Sequence, residues 1–249
     1  MGRVSLELVP HDEAEFRAVI ESVIKYKDKI DVINVPDLLR LSIRSWEGAK
    51  IAKERFPSVI PHIRAMDIDL RKPLPMKDYL REHNITEVLV IEGDPPQNML
   101  HEIYATESTD VIRKFRAEMP EVTVYAGLDQ YRSCMRHEYR RCERKLLAGA
   151  AGFFTQPFFD MRYLEIYHDM LESMNVYWGV SPVQSERSAN YWKRKNNVIF
   201  PKKFEPTLEW SVEFAKNVLE FANKNNENIY LMPIKTDIAD YIGGVFGNV

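Results

Sequence analysis

Short runs of β-branched and aromatic residues alternate with longer amphipathic segments along the whole chain, and this alternation constrains the fold more than any other feature. The predicted strands are Val4–Pro10, Asp31–Pro36, Val59–Met66, Glu87–Glu92, Thr123–Gly127, Gly152–Phe158, Val176–Val183 and Asn228–Ile234. Several are apolar on both faces, which is typical of parallel strands covered on two sides. The pattern therefore predicts parallel strands joined by crossover helices.

The segments between these runs carry apolar residues at helical spacing. The predicted helices are Glu13–Lys29, Trp46–Phe56, Met76–Asn84, Thr109–Met119, Arg136–Ala148, Met161–Met174 and Leu208–Asn223. One connection is irregular, because a short segment, Ser185–Asn196, and an apolar run, Val198–Phe204, precede its long helix. We interpret this irregular connection as an insertion beside an active-site mouth.

The number of repeated units favours a closed barrel. Eight strand–helix units in one series, without a glycine-rich phosphate loop after the first strand, predict an α/β protein, a (β/α)8 TIM barrel formed by residues 1–249 as a single domain. An open, doubly wound sheet is the structural alternative. In a barrel the active site lies at the carboxyl-terminal ends of the strands.

Composition excludes several classes of function. The chain has 34 basic and 37 acidic residues, a formal charge of −3, so no overall field attracts nucleic acid or an anionic membrane. No stretch approaches the roughly 18 apolar residues of a membrane span. Its two cysteines, Cys134 and Cys142, lack metal-ligand spacing. We expect a cytoplasmic protein with reduced thiols, no bound metal and no nucleic-acid or membrane partner.

An acidic residue interrupts the first predicted strand. Glu7 lies between Leu6 and Leu8, where an unpaired carboxylate is costly. Burial raises a carboxyl pKa and so suits a general acid near neutral pH. The alternative is a structural ion pair with a lysine or arginine of the barrel.

Other polar residues fall at predicted strand ends. Asp94 follows Gly93 after the fourth strand, and it either orients a polar heterocycle or closes a proline turn. Gln156 ends the sixth strand beside Phe158 and Phe159, which suits a flat ligand with hydrogen-bonding edges. His62 either holds a cofactor or is a satisfied core residue.

Five motifs occur in order at successive barrel positions. They are Val4-Ser5-Leu6-Glu7, Pro61-His62, Gly93-Asp94-Pro95-Pro96, Ala148-Gly149-Ala150 with Thr155-Gln156-Pro157-Phe158-Phe159-Asp160, and Gly179-Val180-Ser181-Pro182-Val183. Together they resemble the methylenetetrahydrofolate reductase family, from the first strand to the last helix. The resemblance implies a barrel that passes hydride from NADH or NADPH, through bound FAD, to 5,10-methylenetetrahydrofolate.

The resemblance also implies roles for individual residues. Glu7 would be the general acid that helps to open the bridging ring, and Asp94 would hydrogen-bond the pterin and tune the flavin. Gln156, Trp192 and Lys235 would contact the reduced folate. The residues implied to bind the flavin, besides Asp94, are His62, Gly93, Tyr104, Ala105, Tyr125, Arg144 and Lys145.

Departures from the family pattern leave alternatives open. Glu92 stands where the family usually has an arginine, and its charge would repel a cofactor diphosphate. A flavin-independent reductase with direct hydride transfer is one alternative. Others are a related pterin-binding barrel and a non-catalytic subunit of an oxidoreductase complex. The partner could also be a second copy of the chain.

Overall fold

The computed structural model describes residues 2–95 and 101–247, and it confirms the predicted barrel. The strands are β1 (Val4–Glu7), β2 (Val32–Val35), β3 (Val59–Arg64), β4 (Glu87–Ile91), β5 (Thr123–Leu128), β6 (Phe153–Pro157), β7 (Val176–Val180) and β8 (Asn228–Leu231). Each is parallel to the next, and β8 pairs with β1, so the sheet closes in sequence order. All eight predicted strands are confirmed.

Helices cover the outside of the barrel. They are α1 (Glu13–Val23), α2 (Ser45–Lys53), α3 (Lys77–Glu82), α4 (Ser108–Glu118), α5 (Met135–Ala148), α6 (Met161–Met170), α7 (Glu186–Lys195), α8 (Leu208–Asn225) and α9 (Ile238–Phe246). The first predicted helix is divided, because α1 ends at Val23 and a 3-10 helix covers Ile24–Lys29. No helix in the described ranges is long and apolar enough to cross a membrane.

The main core lies between the strands and the helices. Outward-facing strand residues such as Leu6, Ile33, Ile63 and Val90 are fully buried against helical side chains. Burying one such side chain contributes about 1.5–3 kcal/mol. The apolar runs are therefore what attaches the helices to the barrel.

The opposite strand face fills the barrel interior. Its apolar side chains are Val32, Ile60, Leu89, Tyr125, Phe154, Tyr177, Tyr230 and Met232. The rings of Phe154 and Tyr177 stack with their centroids 4.0 Å apart. The interior is thus a packed core rather than a pore, which leaves the strand ends as the place for a ligand.

An ion pair closes the amino-terminal end of the interior. Arg3 donates from both terminal nitrogens to Glu87, over 2.7 and 2.9 Å. The hydroxyl groups of Tyr125 and Tyr177 lie 3.5 and 3.2 Å from the Arg3 Nη1 atom. Both charges are therefore neutralised at this end of the barrel.

The irregular connection after β7 forms a small layer on the carboxyl-terminal rim. The Ser185 side chain caps α7, and Ala189 and Trp192 on this helix pack with Phe159 and Val183 in a separate apolar cluster. The insertion predicted from the sequence is therefore attached to the strand ends by its own core.

Candidate active site

Glu7 is the last residue of β1 and lies on the interior side of the barrel rim. Its carboxylate accepts a hydrogen bond from the hydroxyl group of Tyr230. Burial raises the pKa of Glu7 to about 7, although the Tyr230 hydrogen bond acts in the opposite direction. Among the described residues, none forms an ion pair with Glu7. The ion pair at the barrel interior is formed by Arg3 and Glu87, at the other end. Glu7 can therefore donate a proton near neutral pH.

Gln156 reaches the same rim from β6. It lies two residues after Phe154, where the pairing register of β6 with β7 shifts, and its side chain is partly exposed. Its backbone carbonyl accepts a 2.7 Å hydrogen bond from Gln130, which fixes this strand end. The partly exposed carboxamide can therefore form hydrogen bonds with the edge of a flat ligand.

Close packing beside Gln156 requires a glycine. A Cβ atom at Gly179 would lie 2.6 Å from the Met232 methyl carbon and 2.7 Å from the Thr155 carbonyl oxygen. Met232 therefore lies over the β7 end and forms part of the floor of the rim.

His62 is a neutral core residue. Its Nε2 lies 3.0 Å from the Asn34 amide oxygen, and the Asn34 amide nitrogen donates to the Ser5 hydroxyl over 2.6 Å. This network assigns the proton to His62 Nε2. Burial lowers the pKa of His62 to about 3, so the imidazole is uncharged at neutral pH. Of the two interpretations from the sequence, this geometry matches the satisfied core histidine.

Gly93 is packed against a protein side chain. Its φ is +87°, and a Cβ atom there would lie 3.1 Å from the Arg64 guanidinium carbon. Arg64 also donates a 2.6 Å hydrogen bond to the backbone carbonyl of Asp94, whose own side chain is exposed. The close contact with Arg64 explains why a glycine is needed at position 93. The Asp94 carboxylate itself remains exposed at the rim. The next residue of the motif, Pro95, is described, but Pro96 lies outside the described residues.

Glu92 occupies a helix N-terminus. Its carboxylate accepts from the backbone N–H of Ser108 over 3.1 Å and from the Ser108 hydroxyl over 2.7 Å. Helix N-termini favour negative charge, and here the chain itself supplies it. The N-terminus of α4 is therefore already satisfied by an internal anion.

The other residues expected on the flavin side belong to several elements of the barrel. Tyr104 and Ala105 lie before α4, and Arg144 is exposed on α5. Lys145 is buried and donates to the Gly127 carbonyl over 2.7 Å, and burial lowers its pKa. Tyr125 points toward Arg3 at the amino-terminal end, away from the rim. Tyr125 and Lys145 are therefore engaged by other groups of the protein rather than directed at a ligand on the rim.

Two residues expected to contact folate lie near the irregular connection. Trp192 is 5% exposed, and its ring centroid is 5.6 Å from that of Phe159, so it supports the rim from within. Lys235 is exposed after β8, with its ammonium group 5.4 Å from the ring centroid of Tyr191. Lys235 is therefore available to a ligand, whereas Trp192 is covered by protein.

An ion-pair chain on the opposite side of the rim was not predicted from the sequence. Arg44 forms two hydrogen bonds with buried Asp37, over 3.0 and 2.6 Å, and lies 3.3 Å from Asp67. Asp67 in turn pairs with Arg64 over 3.0 Å. The chain connects the loops after β2 and β3, and Arg64 extends it to the loop after β4. The only signal in the sequence was that Asp37 follows a strand end directly.

No family model and no curated protein matches this chain. Solved structures do. A protein from Clostridium thermocellum that binds two copies of 5-methyl-5,6,7,8-tetrahydrofolic acid has a TM-score of 0.63 at 12% identity, over 98% of this chain and 93% of that one. An oxaloacetate acetylhydrolase has a TM-score of 0.59 at 12% identity, over 97% and 79%.

The spore cortex-lytic enzyme of Bacillus cereus is also similar, with a TM-score of 0.60 at 10% identity, over 99% of this chain and 75% of that one. These proteins differ in their ligands and reactions, and at such identities the shared feature is the architecture. The comparisons and the closed sheet together establish a (β/α)8 barrel.

Proposed function

We propose that this barrel binds a reduced folate at its carboxyl-terminal rim and reduces 5,10-methylenetetrahydrofolate to 5-methyltetrahydrofolate, with Glu7 as the general acid. The observation that carries the proposal is the position of Glu7, an interior carboxyl group at the rim with a pKa of about 7. The motif resemblance and the 5-methyltetrahydrofolate bound by the Clostridium thermocellum protein support the choice of ligand.

The proton of Glu7 serves the first step. It protonates N10 as the bond between N10 and the bridging carbon breaks, with the electron pair going to N10. An N5 iminium ion results. A hydride from C4 of NADH or NADPH then adds to the iminium carbon, which gives the N5 methyl group and the oxidised nicotinamide. Water returns a proton to Glu7.

The polar rim residues would orient the pterin. The exposed Asp94 carboxylate accepts hydrogen bonds from ring N–H groups, and the Gln156 carboxamide both donates and accepts. Lys235, at the end of β8, would attract the carboxylates of the folate. These roles require only residues that the barrel places at the strand ends.

The hydride is proposed to come directly from the nicotinamide. Two observations favour this form over transfer through FAD: Tyr125 and Lys145, both expected to hold the flavin, are engaged within the protein, and Glu92 lies at the α4 N-terminus. A bound diphosphate near that carboxylate would be repelled. The proposed reaction therefore has no flavin step.

A spectroscopic and kinetic experiment tests the proposal. We expect the purified protein to be colourless, to bind 5-methyltetrahydrofolate in calorimetry, and to oxidise NADH or NADPH only when 5,10-methylenetetrahydrofolate is added. A retained yellow chromophore that bleaches with nicotinamide and recovers with the folate would contradict direct transfer. Failure to bind any reduced folate would contradict the proposal as a whole.

A further inference from the structure

Strand β6 contains one residue more than the matching part of β7. Phe154 pairs with Tyr177. The next pair is Pro157 with Gly179, so three steps along β6 match two along β7. Such an extra residue forms a β-bulge, which interrupts the ladder of hydrogen bonds and changes the direction of a side chain. Gln156 lies inside this bulge, so the direction of its carboxamide depends on the contacts that hold the bulge.

Two side chains from the loop after β5 hold the bulge. The Nε2 atom of Gln130 donates to the backbone carbonyl of Gln156 over 2.7 Å and lies 3.4 Å from the Pro157 carbonyl. The Tyr131 hydroxyl donates to the Pro157 carbonyl over 2.9 Å. The two carbonyl groups at the end of β6 are therefore satisfied by consecutive residues of a neighbouring loop.

Gln130 is itself fixed in place. It is 1% exposed, and its backbone carbonyl accepts hydrogen bonds from the hydroxyl groups of Tyr163 and Tyr167 over 2.7 and 3.3 Å. Both tyrosines belong to α6, the helix that follows β6 in the chain. The strand end, the helix after it and the β5 loop are therefore joined through one residue.

Stability alone does not explain the Gln130 side chain. Its two contacts to carbonyl groups assign the amide nitrogen to that side, which leaves the Oε1 atom buried and without a hydrogen-bond partner among the described residues. A buried acceptor without a partner is unfavourable. Groups of this kind are expected where the geometry of a functional site is favoured over stability.

We propose that Gln130 is a positioning residue for ligand binding at the rim. By holding the Gln156 carbonyl, it fixes the direction in which the Gln156 carboxamide meets the ligand. The inference rests on the proposed function, in which Gln156 contacts the pterin. Without Gln130 the bulge would adopt several conformations, and the apparent affinity would fall in proportion to the fraction that remains competent.

The first test is the variant Gln130→Met, which keeps the length of the side chain and removes the donor. Calorimetry is expected to show about tenfold weaker binding of 5-methyltetrahydrofolate than in the wild-type protein. The KM for 5,10-methylenetetrahydrofolate should rise by a similar factor with kcat unchanged, because saturating substrate selects the competent conformation. Tyr241→Phe, which removes a buried hydroxyl on α9, is the control and should bind as the wild-type protein does.

A second test asks whether Gln130 acts through Gln156. In the background of Gln156→Ala, which lacks the carboxamide, Gln130→Met should cause no further loss of affinity, whereas a general structural defect would add to the first loss. The conservative variant Gln130→Glu can donate only when its carboxyl group is protonated. Its affinity, relative to that of the wild-type protein at the same pH, should therefore recover as the pH is lowered.

The outcomes separate the inference from the proposed function. If the wild-type protein binds the folate and Gln130→Met binds it equally well, the inference is wrong and the proposed function stands. Additive losses in the double variant would also overturn the inference. If the wild-type protein binds no reduced folate, the proposed function fails, and hydrogen exchange of the ligand-free protein tests the positioning role by itself.

The exchange experiment uses two amide groups beside the bulge. The Gly179 N–H donates to the Thr155 hydroxyl, and the Phe158 N–H donates to the Gly179 carbonyl, each over 2.8 Å. Faster exchange of both amides in Gln130→Met than in the wild-type protein would support the inference, since the end of β6 would then have lost its fixed position. Unchanged exchange would contradict it.

Discussion

Each end of the barrel interior holds a glutamate, and the two glutamates have different hydrogen-bond partners. At the amino-terminal end Glu87 is paired with Arg3 through two hydrogen bonds. At the carboxyl-terminal end Glu7 has the neutral Tyr230 hydroxyl as its partner, and its pKa is raised to about 7. One carboxylate is held by a cationic partner, whereas the other has only a neutral partner and can exchange a proton. Glu87 therefore has a structural role, whereas Glu7 is suited to proton transfer.

The largest effect is expected from Glu7→Gln. The variant should fold but lose about 10²–10⁴-fold in the rate of methylenetetrahydrofolate reduction, since a general acid contributes that much. Steady-state turnover with NADH or NADPH measures it. Glu87→Gln is the matched control, because the same chemical change at the other end should leave the activity of the folded protein intact. Similar losses in both variants would break the comparison.

The next effect is a dependence of stability on pH. The native pKa of Glu7 lies above its unfolded value, so native Glu7 holds a proton that the unfolded chain releases. Its contribution is complete below the unfolded pKa of 4.5 and is lost as pH rises through about 7. The expected loss is at most about 3 kcal/mol. Urea unfolding of the wild-type protein and Glu7→Gln across this range tests it, and parallel curves would refute the assignment.

A third effect concerns the ion pair. Glu87→Gln should lower the free energy of unfolding by about 2 kcal/mol, because Arg3 loses its charged partner in a partly buried site. Urea unfolding at neutral pH measures the change. Restored stability in the double variant Arg3→Met, Glu87→Gln would support the explanation, since both charges are then absent. An unchanged midpoint in the single variant would contradict it.

The smallest effect is expected from Tyr230→Phe. The Tyr230 hydrogen bond lowers the pKa of Glu7, so its removal should raise that pKa further. The alkaline limb of the pH profile of kcat/KM should move to higher pH accordingly. Tyr177→Phe at the opposite end is the control and should leave the profile in place. A shift to lower pH in Tyr230→Phe would be inconsistent with this role.

The alternation of strands and helices was predictable from local patterns, because burial on both faces requires continuous apolar runs. Helix α9 was not predicted. Its segment, Ile238–Phe246, contains Gly243 and Gly244, which lower helix propensity, and packing against α1 and α8 compensates.

The candidate site was predictable only in part. Glu7 was identifiable because a lone acid between leucines in a strand is unusual. The direction of the long Tyr125 side chain was not predictable, because an interior position in the sequence does not specify which end of the barrel the hydroxyl group reaches. Trp192 shows a similar gap, because its burial depends on Phe159, which is distant in sequence. The packing of Arg64 against Gly93 likewise arises only when the loops after β3 and β4 meet.

The ion-pair chain on the rim has a mechanical consequence. Asp37, Arg44, Asp67 and Arg64 tie the loops after β2 and β3 to each other with alternating charges, and Arg64 donates a hydrogen bond to the Asp94 carbonyl in the loop after β4. On the other side, the loops after β7 and β8 are joined by the hydrogen bond between Gln184 and Thr236. We expect the loops after β2, β3 and β4 to keep their conformation when a ligand binds or leaves, and the loops after β7 and β8 to move. The entry path would then run past α7.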